Sequence, residues 1–133
     1  MGVSKFTYSG KVRGQARPRF TRNGHAYELA EDKHYKAELR RAYVEQGGEH
    51  YGNAPVSVAV FVYGALPASR PKAMQSEPNA YKPDADNIAK AVLDALQGVA
   101  YDDDKQVTRL LVSKADRKRG QSEGLRVYVR KAI

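Results

Sequence analysis

The fold class this sequence predicts is α+β: a single domain with one mixed β-sheet and about two main helices packed on it. Two observations predict it. The hydrophobic patterning changes period along the chain, giving the order β, loop, α, β, loop, α, β, β. No internal repeat or low-complexity linker interrupts the 133 residues, a length that fits one domain over 1–133 and buries a core without disulfide help.

Residues 3–13 alternate through Val3, Phe6, Tyr8 and Val12 and read as a first strand. Arg13–Tyr27, RGQARPRFTRNGHAY, is a Gly/Arg/Pro-rich loop in which Asn23-Gly24 signals a small hairpin. Residues 30–47 read as a helix with Tyr35, Leu39 and Ala42/Tyr43 as its apolar stripe, stopped by Gly47-Gly48. Val56–Tyr63, VSVAVFVY, is apolar enough for a central strand. Leu66–Lys82 is polar and proline-rich and reads as loop, with Arg70–Pro78 mobile. Asp84 or Asp86 caps a second helix running to about Gln97 and ended by Gly98. Val107–Ala115 and Leu125–Ile133 read as strands of an antiparallel hairpin joined by the basic turn RKRGQSEG.

Charge narrows the function classes. Lys and Arg number 23 against 15 Asp and Glu, so the net charge is +8, an excess that attracts polyanions, nucleic acid first. With no cysteine there is no disulfide, thiolate zinc site or cysteine nucleophile. No apolar run approaches the ~18 residues of a membrane span. The start, MGVSKFTYSGKV, lacks a signal-peptide core, and Phe6 stands where the myristoylation pattern wants Ser or Thr. The expected location is the cytoplasm, with no membrane partner.

The chemistry concentrates in Lys82–Val107, KPDADNIAKAVLDALQGVAYDDDKQV. On a helical wheel Ile88, Val92, Ala95, Leu96 and Val99 share one side, while Asp86 and Lys90 fall opposite and one turn apart. Asp84 precedes the helix, and Asp102, Asp103 and Asp104 precede the next strand. Packing of that helix on that strand offers a way for the two acidic groups to meet. Close carboxylates repel, and a hard divalent ion such as Mg²⁺ or Mn²⁺ removes the penalty. Such a site in a basic protein suits phosphodiester cleavage. Plainer readings stand beside this one. Asp84 or Asp86 is then only a helix cap, Asp86 and Lys90 only an ion pair, and Asp102–Asp104 a solvated turn.

The whole string, Pro-Asp-x-Asp-Asn-x-x-Lys, then Asp-Ala-Leu, then Asp-Asp-x-Gln-Val, resembles the signature of the RusA-type endodeoxyribonucleases. It covers about a quarter of the chain strongly, and the upstream RPRFTRNGHAY is similar to the arginine-rich leading segment of many members. The resemblance implies a RusA-like fold and a homodimer that nicks four-way DNA junctions with Mg²⁺ or Mn²⁺, in recombination and repair. By position, Asp84 and Asp86 match the family's paired carboxylates, Lys90 its lysine and Asp104 its third metal-site carboxylate. Asp103 matches the acidic residue beside that third carboxylate. Asp94 matches the Asp of Asp-Ala-Leu, where helix packing or support of the site is expected rather than metal ligation. Three consecutive aspartates leave the register open; Gln106-Val107 sets the frame and puts Asp102 outside the motif.

Arg13, Arg17, Arg19 and Arg22 on the first loop are candidates for holding phosphate, with Phe20 either a wedge for a base step or tucked into the core. Arg70, Lys72 and Lys82 flank the acidic segment as further DNA contacts. Arg117, Lys118 and Arg119 read more readily as an exposed turn, and Arg40 and Arg41 as a solvated helix face. His25, His34 and His50 share no ligand spacing. Rival readings are a nuclease for flaps or forks, a nucleic-acid-binding protein without activity, and a small-molecule phosphohydrolase that leaves the charge excess unexplained.

Overall fold

A computed structural model describes residues 2–15 and 19–132. The elements in chain order are β1 (Ser4–Ser9), β2 (Arg19–Phe20), β3 (Ala26–Tyr27), α1 (Ala30–Glu45), β4 (Val56–Tyr63), β5 (Ser76–Glu77), α2 (Ala85–Leu96), a 3₁₀ turn (Asp104–Gln106), β6 (Val107–Lys114), β7 (Arg117–Lys118) and β8 (Gly124–Lys131). The fold is α+β, with a four-stranded mixed sheet in the order β1-β8-β4-β6.

The core lies between the sheet and both helices. Val56, Val58, Val60 and Val62 of β4 and Leu125, Val127 and Val129 of β8 point into it by the two-residue alternation of strands. Tyr35, Leu39 and Tyr43 from α1 meet Ile88, Val92, Ala95 and Leu96 from α2 above them. The wheel reading of α2 therefore holds, with Val99 partly buried at the rim. Gly48 ends α1 tightly, because a Cβ there would stand 2.3 Å from the Tyr43 ring. The Asn23-Gly24 hairpin also forms, as the antiparallel pair β2–β3 with Gly24 at φ 81°.

Strand order departs from expectation in one respect. The strand of Val107–Lys114 and that of Gly124–Lys131 are not a hairpin, because β4 lies between them. Strand β8 is antiparallel to β1 and β4, whereas β6 is parallel to β4. A parallel pair needs a crossover, and α2 supplies it, making β4–α2–β6 one βαβ unit. The basic turn is instead part of the connection that crosses the end of β4. Its β7 pairs with β5, and the Lys118 N–H donates to the Gly64 carbonyl at 3.2 Å.

Two further expectations are corrected. Segment 66–82 is held rather than loose: Glu77 pairs with Arg70 and Arg117, and Arg119 donates to the carbonyls of Pro71 and Met74. Arg40 is not merely solvated. Its Nη1 donates to the carbonyls of Ala95 (3.2 Å) and Gln97 (2.9 Å), satisfying the end of α2.

Candidate active site

Helix α2 presents Asp86, Lys90 and Asp94 at successive turns of its exposed side. Asp84 occupies the N-cap position, yet its side chain makes no capping hydrogen bond. Asp86 and Lys90 are exposed and form no ion pair with each other. Both plain readings, cap and i,i+4 pair, thus fail in geometry, and these side chains pair with nothing among the described residues.

The far end of α2 is built differently. Asp103 caps the 3₁₀ turn: its Oδ1 accepts from the Lys105 N–H at 3.0 Å, while the Asp103 N–H donates to Gln106 Oε1 at 2.7 Å. The Lys105 amide holds the Asp103 carboxyl below its ordinary range. Partial burial, reinforced by the neighbouring Asp103, pushes Asp104 up. The Asp104 N–H donates to Gln97 Oε1 at 3.2 Å, tying the turn to the end of α2. Gln106 Nε2 then donates to the carbonyls of Gly52 (2.7 Å) and Ala54 (2.8 Å). Beyond setting the register, Asp103-x-x-Gln106 carries the capping-box pattern, a structural role visible in the sequence itself. Asp102 stands apart, paired with His50 at 3.3 Å.

Asp94 joins the helices. Lys36 Nζ on α1 bonds Asp94 Oδ2 at 2.6 Å and also pairs with Glu28. Burial penalises that ammonium, but the two carboxylates hold it charged and raise its pKa. Asp94 therefore supports α2 through an ion pair, a side-chain tie rather than core packing.

The two acidic groups do not meet within the chain. Strand β6 runs back along α2, so its start lies at the end of α2 and its end at the beginning. Lys114, closing β6, donates to the Pro83 carbonyl at 2.9 Å. Helix α2 is 12 residues long, so about 18 Å of helix separates Asp84 from the Asp103–Asp104 turn. Among the described residues no group of three or more His, Cys, Asp or Glu is placed to hold a metal ion. The oxygen donors suit a hard divalent cation in kind, but one chain divides them between two places.

Beside Asp84 lies an open groove of about 470 Å³, lined by Lys11, Arg13, Gln15, Asp32 and Lys82. Gly14 and Gln15 dock on the start of α2, the Gln15 N–H donating to the Asn87 carbonyl at 2.8 Å. Asp32 is buried and bonded by Arg13 Nε at 3.1 Å, so Arg13 is fixed to α1. The other candidate cations divide. Arg19, Arg22, Lys72 and Lys82 are exposed, whereas Arg70 is held by Glu77 and by the Tyr81 hydroxyl at 3.1 Å. Arg17 lies outside the described residues. Phe20 is 65% exposed at the hairpin and is not in the core.

The class follows from fold and charge: a basic α+β domain with exposed carboxylates, Asp84 and Asp86, at the start of one helix, as suits work on nucleic acid. The chain belongs to the Endodeoxyribonuclease RusA family, whose sequence model matches residues 9–130. Membership implies an endonuclease related to Holliday junction resolvases, with branched DNA as substrate, in a family that generally uses divalent metals. It is also similar to the "Uncharacterized protein YqaN" of Bacillus subtilis (strain 168), 36% identical over 125 residues covering 86% of this chain and 88% of that protein. No helix among the described residues is long and apolar enough to cross a membrane.

Proposed function

We propose that this protein is a Mg²⁺- or Mn²⁺-dependent, structure-specific endonuclease that resolves four-way DNA junctions by paired, symmetric nicks in recombination and repair. The observation that carries the reading is the uncommitted set Asp84, Asp86 and Lys90 on the exposed side of α2, in a chain of this family. Asp84, Asp86 and Asp104, with Asp103 adjoining, would hold the divalent metal, which would supply activation of water and stabilisation of charge at the phosphate. Lys90 stands one turn from Asp86 and balances charge at the attacked phosphate.

The divided carboxylates favour a homodimer. Two copies of α2 packed antiparallel about a two-fold axis set the Asp84–Asp86 end of one against the Asp103–Asp104 end of the other, twice over. Strand β6 is the free edge of the sheet next to α2, and its Leu110 and Leu111 are exposed. A two-fold dimer also fits a substrate with approximate two-fold symmetry. For binding, Arg19 and Arg22 flank exposed Phe20 on the β2–β3 hairpin, offering phosphate forks and an apolar wedge. Lys82 lines the groove beside Asp84, and Lys72 adds a further exposed cation.

Cleavage of a synthetic mobile four-way junction, compared with linear duplex under Mg²⁺, Mn²⁺ and EDTA, tests the proposal. Paired nicks confined to the junction and abolished by EDTA are expected. Equal cleavage of flaps and forks would widen the substrate to branched DNA in general. Tight binding with no nick under either metal would leave a DNA-binding protein.

A further inference from the structure

The sheet has a second face that neither helix covers. Alternation places Lys5 of β1, Arg109 of β6 and Arg126 and Arg130 of β8 on it, opposite the buried valines. At its centre Phe61 of β4 and Tyr128 of β8 form an edge-to-face pair, ring centroids 5.8 Å apart. Both rings are half-buried, held in place yet reachable. Cross-strand register surrounds them with cations: Tyr128 lies between Lys5 and Ala59, and Phe61 lies beside Arg126. A groove of about 390 Å³ opens between Lys5, Thr7, Arg126 and Tyr128, next to the aromatic pair. No outward-facing position of these four strands carries Asp or Glu. Glu123, near the rim, accepts from the Val12 N–H at 2.9 Å.

Basic side chains ringing half-buried aromatics on an open sheet make a surface for stacked bases and a phosphate backbone. A second copy is a poor occupant, because two such faces would bring like charges together. We propose that this face binds single-stranded nucleic acid, with Phe61 and Tyr128 as the stacking platform and Lys5, Arg109, Arg126 and Arg130 as phosphate contacts. The inference rests on the reading of the protein as a DNA nuclease and adds a contact remote from its cleavage site. The exposed stripe of α2 faces away from the sheet, so unpaired nucleotides on this face lie across the core from Asp86.

The test uses the full chain in EDTA, with fluorescein-labelled oligo(dT) and a blunt duplex of equal length read by anisotropy across a salt series. Arg126→Gln with Arg130→Gln is expected to weaken oligo(dT) binding about tenfold and to lower its log–log salt slope by about 1.4, two contacts' worth. Phe61→Leu with Tyr128→Leu keeps the surface apolar and is expected to weaken oligo(dT) about tenfold while sparing the duplex. Circular dichroism melting checks that each variant is folded. Unchanged oligo(dT) affinity and slope in both folded variants would overturn the inference. So would a change of oligomeric state by light scattering, which would make the face a contact between copies. Junction nicking with metal separates the two readings. A wild-type protein that never nicks, but loses oligo(dT) binding in the variants, defeats only the proposed function. Normal nicking with unaffected oligo(dT) binding defeats only this inference.

Discussion

The two ends of α2 carry the same kind of side chain in opposite states. At its start the Asp84 and Asp86 carboxylates accept no hydrogen bond among the described residues, even where a cap was available to Asp84. At its end Asp103 is locked in a capping box and Asp104 rests against it, with Gln97 and Gln106 fixing both backbones. One end is a set of free donors; the other is a positioned pair that leaves little to rearrange. The contrast fits the proposed shared site, in which each end supplies what the other lacks.

Breaking either half should have the largest effect. Asp84→Asn, Asp86→Asn or Asp104→Asn is expected to cut junction nicking by ~10³-fold, the scale for losing one stabiliser of transition-state charge. Gel-shift affinity for the junction should stay within about twofold. Full nicking by the Asp86→Asn protein would remove Asp86 from the site. Lys90→Ala comes next, with nicking down by ~10²-fold and binding nearly unchanged; equal losses in both would make Lys90 a phosphate contact.

Stability should also differ between the two ends. Gln106→Ala leaves the Gly52 and Ala54 carbonyls without their side-chain donor and frees the Asp103 amide. Urea unfolding is expected to show a loss of ~2 kcal/mol. The same measurement on Asp84→Asn should show almost none, since that side chain caps nothing. A comparable loss in Asp84→Asn would erase the distinction between the two ends.

The smallest effect is a pH-dependent one outside both. Arg70, then Arg117, hold the Glu77 carboxyl below its ordinary value. A depressed acid contributes stability that is present above its unfolded pKa and is lost as pH falls through the folded one. Glu77→Gln should therefore melt below the wild type at pH 7, and the gap should close in acid below that depressed value. A gap that persists there would mean the loss is one of packing.

Much of this was legible in the residues. Strong periodicity fixed α2 and its buried side, and Asn23-Gly24 gave the β2–β3 turn. What stayed hidden was non-local. Nothing in VTRLLVSK distinguishes a strand that pairs with the next one from a strand that runs parallel to β4. That choice decides where Asp104 lies relative to Asp84, so the meeting of the carboxylates could not be read from their spacing. Long polar side chains were the other blind spot. Arg40, Arg119 and Gln106 look solvated in sequence, and each satisfies backbone carbonyls elsewhere in the fold.

In the proposed dimer the two ends of α2 meet between copies. Co-expressing Asp86→Asn and Asp104→Asn chains with different tags and purifying the mixed dimer tests that meeting. If each site draws Asp86 from one chain and Asp104 from the other, the mixed dimer holds one wholly intact site and one doubly broken one. Such a mixed dimer is expected to make single, metal-dependent junction nicks that neither parent makes. A mixed dimer as inactive as both parents would contradict it and confine each site to one chain.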